Sequence, residues 1–221
     1  MKRPSGWSLA MGGMAVILVG LALASVLKGA SDPVDTTPAP PCPFGFVDNV
    51  GDAERIREQL RAVPEGAELL GALRREVRFC FGTIDVPVVT EGRLLVLDAR
   101  ASVPEQAARV GHLLHHVTEG MPFPDDVPAD ADCDAILETA IEREAEAYAL
   151  EVRLRQAVDL DPDRYEFEPA ARRASGRAQV ALVERYLREH PSGAPNMDPL
   201  IAGYRQRCEV ERAEAGSASS P

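Results

Sequence analysis

Gly111-His112-Leu113-Leu114-His115-His116-Val117-Thr118-Glu119 sets three of the chain's four histidines within five residues, and its flanks decide what it belongs to. Upstream, Ser102-Val103-Pro104-Glu105 is a capping box, with a serine for an orphan N–H, proline in the first turn and glutamate three residues on. Downstream, Gly120-Met121-Pro122 stops a helix. One helix is therefore predicted from Ser102 to about Glu119. At about 100° per residue, His112, His115, His116 and Glu119 share an arc of roughly 100°, and Ala107, Val110, Leu113, Leu114 and Val117 fill the opposite face. His112 and His116 stand at i and i+4, the separation that lets two imidazoles on one helix reach one zinc ion at ~2.0–2.1 Å. An amphipathic surface helix with a solvated histidine face shows the same pattern.

Working outward, apolar spacing predicts helices at Asp52 to Val63 and Ala67 to Arg75, broken at Pro64-Glu65-Gly66. Val77 to Phe81 and Arg93 to Leu97 read as two short strands of a small β-hairpin. Pro122 to Asp132 is an acidic, Pro-rich loop whose aspartates lack EF-hand spacing. Helices follow at Cys133 to Ala157, Pro169 to His190 and Asp198 to Arg212, then a disordered GSASSP tail. His190, at a helix end before Pro191, fits a partner for the C-terminal dipole.

Residues 6–27, GWSLAMGGMAVILVGLALASVL, are free of charge and long enough as a helix to cross a ~30 Å hydrocarbon core. Lys2 and Arg3 precede the segment, and Asp32 and Asp35 follow it, which orients everything after Lys28 out of the cytoplasm. Residues 1–28 are thus expected to be a membrane anchor through an N-terminal helix. Ala22-Leu23-Ala24 before Ser25 offers the alternative of a cleaved signal peptide and a secreted product. Residues 29–43 form a Pro-rich linker, 44–213 an extracytoplasmic domain, and 214–221 a disordered tail.

A net charge of −11 argues against a nucleic-acid partner. The only lysines are Lys2 and Lys28, so arginine supplies the positive charge of the exported part. Cys42, Cys80, Cys133 and Cys208 form no CxxC pair, and in an oxidising compartment they predict two disulfides in one of three connectivities. Cys80 and Cys133 as metal ligands would be the competing use.

Ile141-Glu142-Arg143-Glu144-Ala145-Glu146-Ala147-Tyr148-Ala149, on the helix after Cys133, supplies a second motif. Together with His112-Leu113-Leu114-His115-His116, the strand ending Leu97-Asp98 and the capped turn, it resembles the zincin metallopeptidases, specifically those whose third zinc ligand is a glutamate on a later helix. Their first motif is H-E-x-x-H and their second E-x-x-A-D. The resemblance implies zinc as cofactor, His112 and His116 as ligands, and Glu142 as the third. It also implies a gap. Leu113 stands where the family carries its general base, and leucine accepts no proton at any pH.

The expected fold is therefore α+β and mainly α-helical, a small β-hairpin packed with a zincin-like helix pair and preceded by one transmembrane helix. The expected function is a membrane-anchored, metallopeptidase-like pseudo-enzyme that acts by binding, with an envelope protein or peptide as partner. An active zinc peptidase that recruits another base, such as Glu119 or Glu138, and a purely structural envelope protein are the rival classes.

Overall fold

Local chemistry sets the helix starts. In the computed structural model, which describes residues 35–84, 88–90, 92–194, 197 and 199–218, Asn49 Oδ1 accepts from the Asp52 amide at 3.2 Å and caps α1 (Val50–Arg61). Pro64 occupies the first turn of α2 (Pro64–Ala72). The Ser102 amide and hydroxyl both donate to Glu105 Oε2, at 3.0 and 2.7 Å, at the start of α3 (Val103–Glu119). Asp132 accepts from the Asp134 and Ala135 amides and caps α4 (Cys133–Ala157). Gly120, at φ +114°, ends α3 in a conformation that glycine takes without strain. The membrane anchor expected at residues 1–28 lies outside the described residues. Among the described residues, no helix is long and apolar enough to cross a membrane.

The sheet has three strands in the order β1 (Arg78–Gly82), β3 (Leu94–Asp98), β2 (Val88–Thr90). The two strands expected to form a hairpin pair in parallel instead, with Arg78 opposite Leu94 and Gly82 opposite Asp98. The antiparallel partner of β3 is β2, in which Val89 faces Leu95. Val88-Val89-Thr90, three β-branched residues in a row, is the local signal for that strand. As the central strand, β3 buries Leu94, Leu95, Val96 and Leu97, the continuous apolar run of a strand covered on both faces.

Three further expectations change. The helix expected over Pro169 to His190 is two, α5 (Glu168–Ala171) and α6 (Gly176–Glu189). Buried Glu168 accepts from Arg155 Nε at 2.9 Å and from Arg172 Nη2 at 2.7 Å, and Arg172 Nη2 also donates to the Leu160 carbonyl at 2.6 Å, which fixes the chain at the break. Finally, α7 (Leu200–Ala218) continues through Gly216-Ser217-Ala218, where the tail was expected. At the other end, Ala39 of the Pro-rich stretch is buried and its amide donates to Glu76 Oε2 at 3.1 Å, so the end of that stretch packs on the domain.

The domain is a mainly helical α+β fold with two cores sharing α4. Ile56, Leu60, Phe79, Leu95, Leu97, Val110 and Leu114 form one core with Leu150 and Leu154 of α4. Leu137, Ile141, Tyr148 and Val152 of α4 form the other with Phe167, Val183 and Leu187. A helix buried on both sides is no surface helix, and the second half of α4 is accordingly almost wholly buried. All four cysteines are paired: Cys42–Cys80 ties the end of the Pro-rich stretch to β1, and Cys133–Cys208 ties the start of α4 to α7. Two disulfides are what an oxidising, extracytoplasmic location provides, and neither Cys80 nor Cys133 has a thiol for metal.

Candidate metal centre

At Gly111 the two motif helices are in contact through the Leu154 side chain. A Cβ built there would stand 2.0 Å from Leu154 Cδ1, so the Leu154 side chain of α4 fills the space that a larger residue at 111 would need. The next residue, His112, therefore faces α4 at short range, with His116 one turn on. From α4, Glu144, Tyr148 and Glu151 project at i, i+4 and i+7, one face of a helix, among the buried alanines 140, 145, 147 and 149. The histidine face of α3 is thus an interior face. His112, His116 and Glu144 are all at most 4% exposed.

Three donor atoms converge there. His112 Nε2 lies 3.2 Å from His116 Nε2 and 3.3 Å from Glu144 Oε2, and His116 Nε2 lies 3.5 Å from the same oxygen. Ligands bound to zinc at ~2.0–2.1 Å with tetrahedral angles stand about 3.3 Å apart, which is this triangle. Two imidazole nitrogens and one carboxylate oxygen are also a donor set that zinc takes, with three protein ligands leaving a fourth position open. No other group of three such residues among the described residues converges in this way. The residues present fit the ion.

A second layer holds the donors. Glu151 Oε2 lies 3.0 Å from His112 Nδ1, at an angle oblique for a straight hydrogen bond. Glu151 also accepts from Arg109 Nη1 at 3.1 Å and from the Tyr165 hydroxyl at 2.7 Å. The Tyr204 hydroxyl of α7 donates to Glu144 Oε1 at 2.6 Å, leaving Oε2 for the triad. The Tyr148 ring meets His112 edge-on, centroids 4.5 Å apart. Burial pushes the Glu144 carboxyl upward, but His112 and His116 beside it outweigh that and hold it well below the usual carboxylate range. Glu151 is likewise driven up by burial and brought down to about 2 by the Arg109 charge and by His112. Both carboxylates stay ionised although buried. Burial lowers His116, whereas at His112 burial is outweighed by the hydrogen bonds of Glu144 and Glu151, which raise it, so the two imidazoles are shifted in opposite directions.

The cluster differs from the sequence expectation at one residue. His112 and His116 meet as expected, but Glu142 is exposed and points away; Glu144 takes the place beside them. Two residues are about 200° of helix. The expected buried stripe of α4, Leu137 to Val152, is buried, but against the second core, which turns Glu144 rather than Glu142 toward α3. Glu144 with Tyr148 and Glu151 at i, i+4 and i+7 among alanines was the available signal. Arg109, Tyr165 and Tyr204 carried none.

Leu113 is buried and lines the cavity beside the triad, so no proton acceptor stands at that position. Glu119 is exposed at the end of α3, and Glu138 pairs with Arg188 at 2.5 Å; neither lines that cavity. His115 Nε2 lies 3.7 Å from Glu146 Oε2, outside the triad. His190 caps α6, its ring stacked on Tyr186. No protein-family model, curated protein or solved structure matches the chain.

Proposed function

We propose that this chain carries an extracytoplasmic, metallopeptidase-like domain that holds zinc on His112, His116 and Glu144 and works by binding, as a pseudo-enzyme. The observation that carries the reading is the triangle of buried donors, 3.2, 3.3 and 3.5 Å on its sides. A zinc ion bound there supplies Lewis acidity to a ligand group. The chain's own residues do the rest. Glu151 orients His112, Tyr204 orients Glu144, and Arg109 and Tyr165 hold Glu151 in turn. Leu113 removes general-base catalysis, a contribution worth ~10²–10⁴ in rate, so the zincin-like helix pair is a binding platform. Residues 1–28 would tether it to the membrane, with an envelope protein or peptide as partner.

The test is elemental analysis of the full-length chain purified without a histidine tag. One zinc per chain is expected, lost in His112→Ala and Glu144→Ala and kept in Glu142→Ala. A chain with no zinc after equilibration against the ion overturns the reading. Release of fragments from an unstructured protein substrate, abolished in His116→Ala, would instead make it a working peptidase.

A further inference from the structure

We infer that the cavity beside the triad takes an organic carboxylate with an apolar body, an inference that rests on the metal-site reading above. The cavity, about 710 Å³, is walled in part by Val88, Val89, Leu113 and Phe123, a volume suited to a small ligand or the end of a peptide. Its charge runs against that of the chain. In a protein of net charge −11, Arg75, Arg109 and Arg207 line it against only two carboxylates, Asp125 and Glu144.

Two of those five charges are already committed inside the protein, Glu144 to the triad and Arg109 to Glu151. What remains facing the cavity is Arg75 and Arg207 against Asp125, and a divalent ion adds to the positive side. Arg75 has no hydrogen-bond or ion-pair partner among the described residues, and its guanidinium lies over Gly92, where a Cβ would stand 3.6 Å from Nη1. Arg207 spends its Nε on Glu211 and lays its guanidinium over the Phe123 ring at 4.3 Å. Its two Nη groups carry no hydrogen bond among the described residues. A planar guanidinium with free N–H groups beside a part-apolar cavity matches the two oxygens of a carboxylate. Leu113 makes the wall beside the triad apolar, so a ligand lodged in the cavity would meet hydrocarbon on one side and positive charge on the other. A free organic acid and the C-terminus of a peptide both present that chemistry.

The experiment is calorimetric titration of the zinc-loaded full-length chain with phenylacetate and phenylacetamide, and with a tripeptide ending in phenylalanine whose C-terminus is either free or amidated. Zinc content is measured on the same samples. We expect at least one acid to bind about tenfold or more tighter than its amide. Arg75→Gln and Arg207→Gln should each shrink that preference several-fold with zinc still at one per chain. Preference confined to phenylacetate assigns the site to free acids; preference confined to the tripeptide assigns it to peptide C-termini. Equal binding of acid and amide, no binding of any probe, or a preference untouched by both substitutions overturns the inference and leaves the metal reading standing. A chain that takes up no zinc overturns both.

Discussion

Replacing Glu151 by Gln tests whether the layer behind the histidines governs the metal. The carboxylate accepts two hydrogen bonds, from the Tyr165 hydroxyl at Oε1 and Arg109 Nη1 at Oε2, and His112 Nδ1 lies 3.0 Å from Oε2. Glutamine keeps the shape but offers one carbonyl oxygen and an NH₂ group that is itself a donor. With the amide oxygen toward Arg109 and His112, the NH₂ group can only donate to the Tyr165 oxygen, so that hydroxyl loses its acceptor, and the negative charge behind His112 is gone. Losing such an outer-shell partner lowers metal affinity about 10- to 100-fold, or ~1.4–2.7 kcal/mol. The assay is zinc competition against a chromophoric chelator at neutral pH, with thermal melting of the metal-free protein in parallel, because Arg109 also loses its counter-charge. We expect weaker zinc binding by the stated factor with native secondary structure retained. Affinity within twofold of the parent, in a background where His112→Ala abolishes binding, would falsify the coupling of Glu151 to the centre.

Leu113→Glu turns the stretch into the H-E-x-x-H motif that it resembles, and on the proposed reading peptidase activity should rise by ~10²–10⁴ over the parent, checked with a quenched fluorescent peptide alongside circular dichroism; zinc-loaded, folded and inactive variant protein would refute the role given to Leu113. Gly111→Ala drives a Cβ into Leu154 Cδ1 and should cost about 1–3 kcal/mol in urea unfolding, partly recovered when Leu154 is shortened to Val. Glu105→Ala removes the carboxylate that accepts from the Ser102 hydroxyl and amide and should cost about 1 kcal/mol at neutral pH. The Ser102 hydroxyl bond, with the Ser102 amide, holds the Glu105 carboxyl below its ordinary value of 4.5, so its contribution is fully present above that value. It is lost as pH falls through the depressed folded value, and the parent and variant unfolding curves should converge in acid.

Much of the fold was readable because it is local. The capping box, Pro104 and Gly120 act within a turn of their own residues, and α3 runs from Val103 to Glu119 as they require. Cys133 to Ala157 is a helix for the same reason, with Asp132 as its cap. The pairing direction of β1 and β3 depends on where the chain lies after β2 intervenes, and strand direction leaves no mark in a five-residue apolar run. Four cysteines outside the cytoplasm imply two disulfides, but the choice of Cys42–Cys80 and Cys133–Cys208 depends on which thiols the packed chain brings within bonding distance.

The centre divides along the same line. His112 and His116 are one helical turn apart, so their convergence on one point is a property of the backbone and was fixed by spacing alone. Their burial was not, because a histidine face reads as solvated until another helix covers it, and here α4 does so. The third donor depended on the rotation of α4 about its own axis. Two cores, one built with α1, α3 and the sheet and the other with α6 and α7, grip α4 from both sides, and the rotation that satisfies both carries Glu144 inward and Glu142 out to solvent. Those cores are made by residues distant in sequence, so the spacing of Glu144, Tyr148 and Glu151 among alanines marks a second buried face of α4, but only the packed cores decide what that face meets.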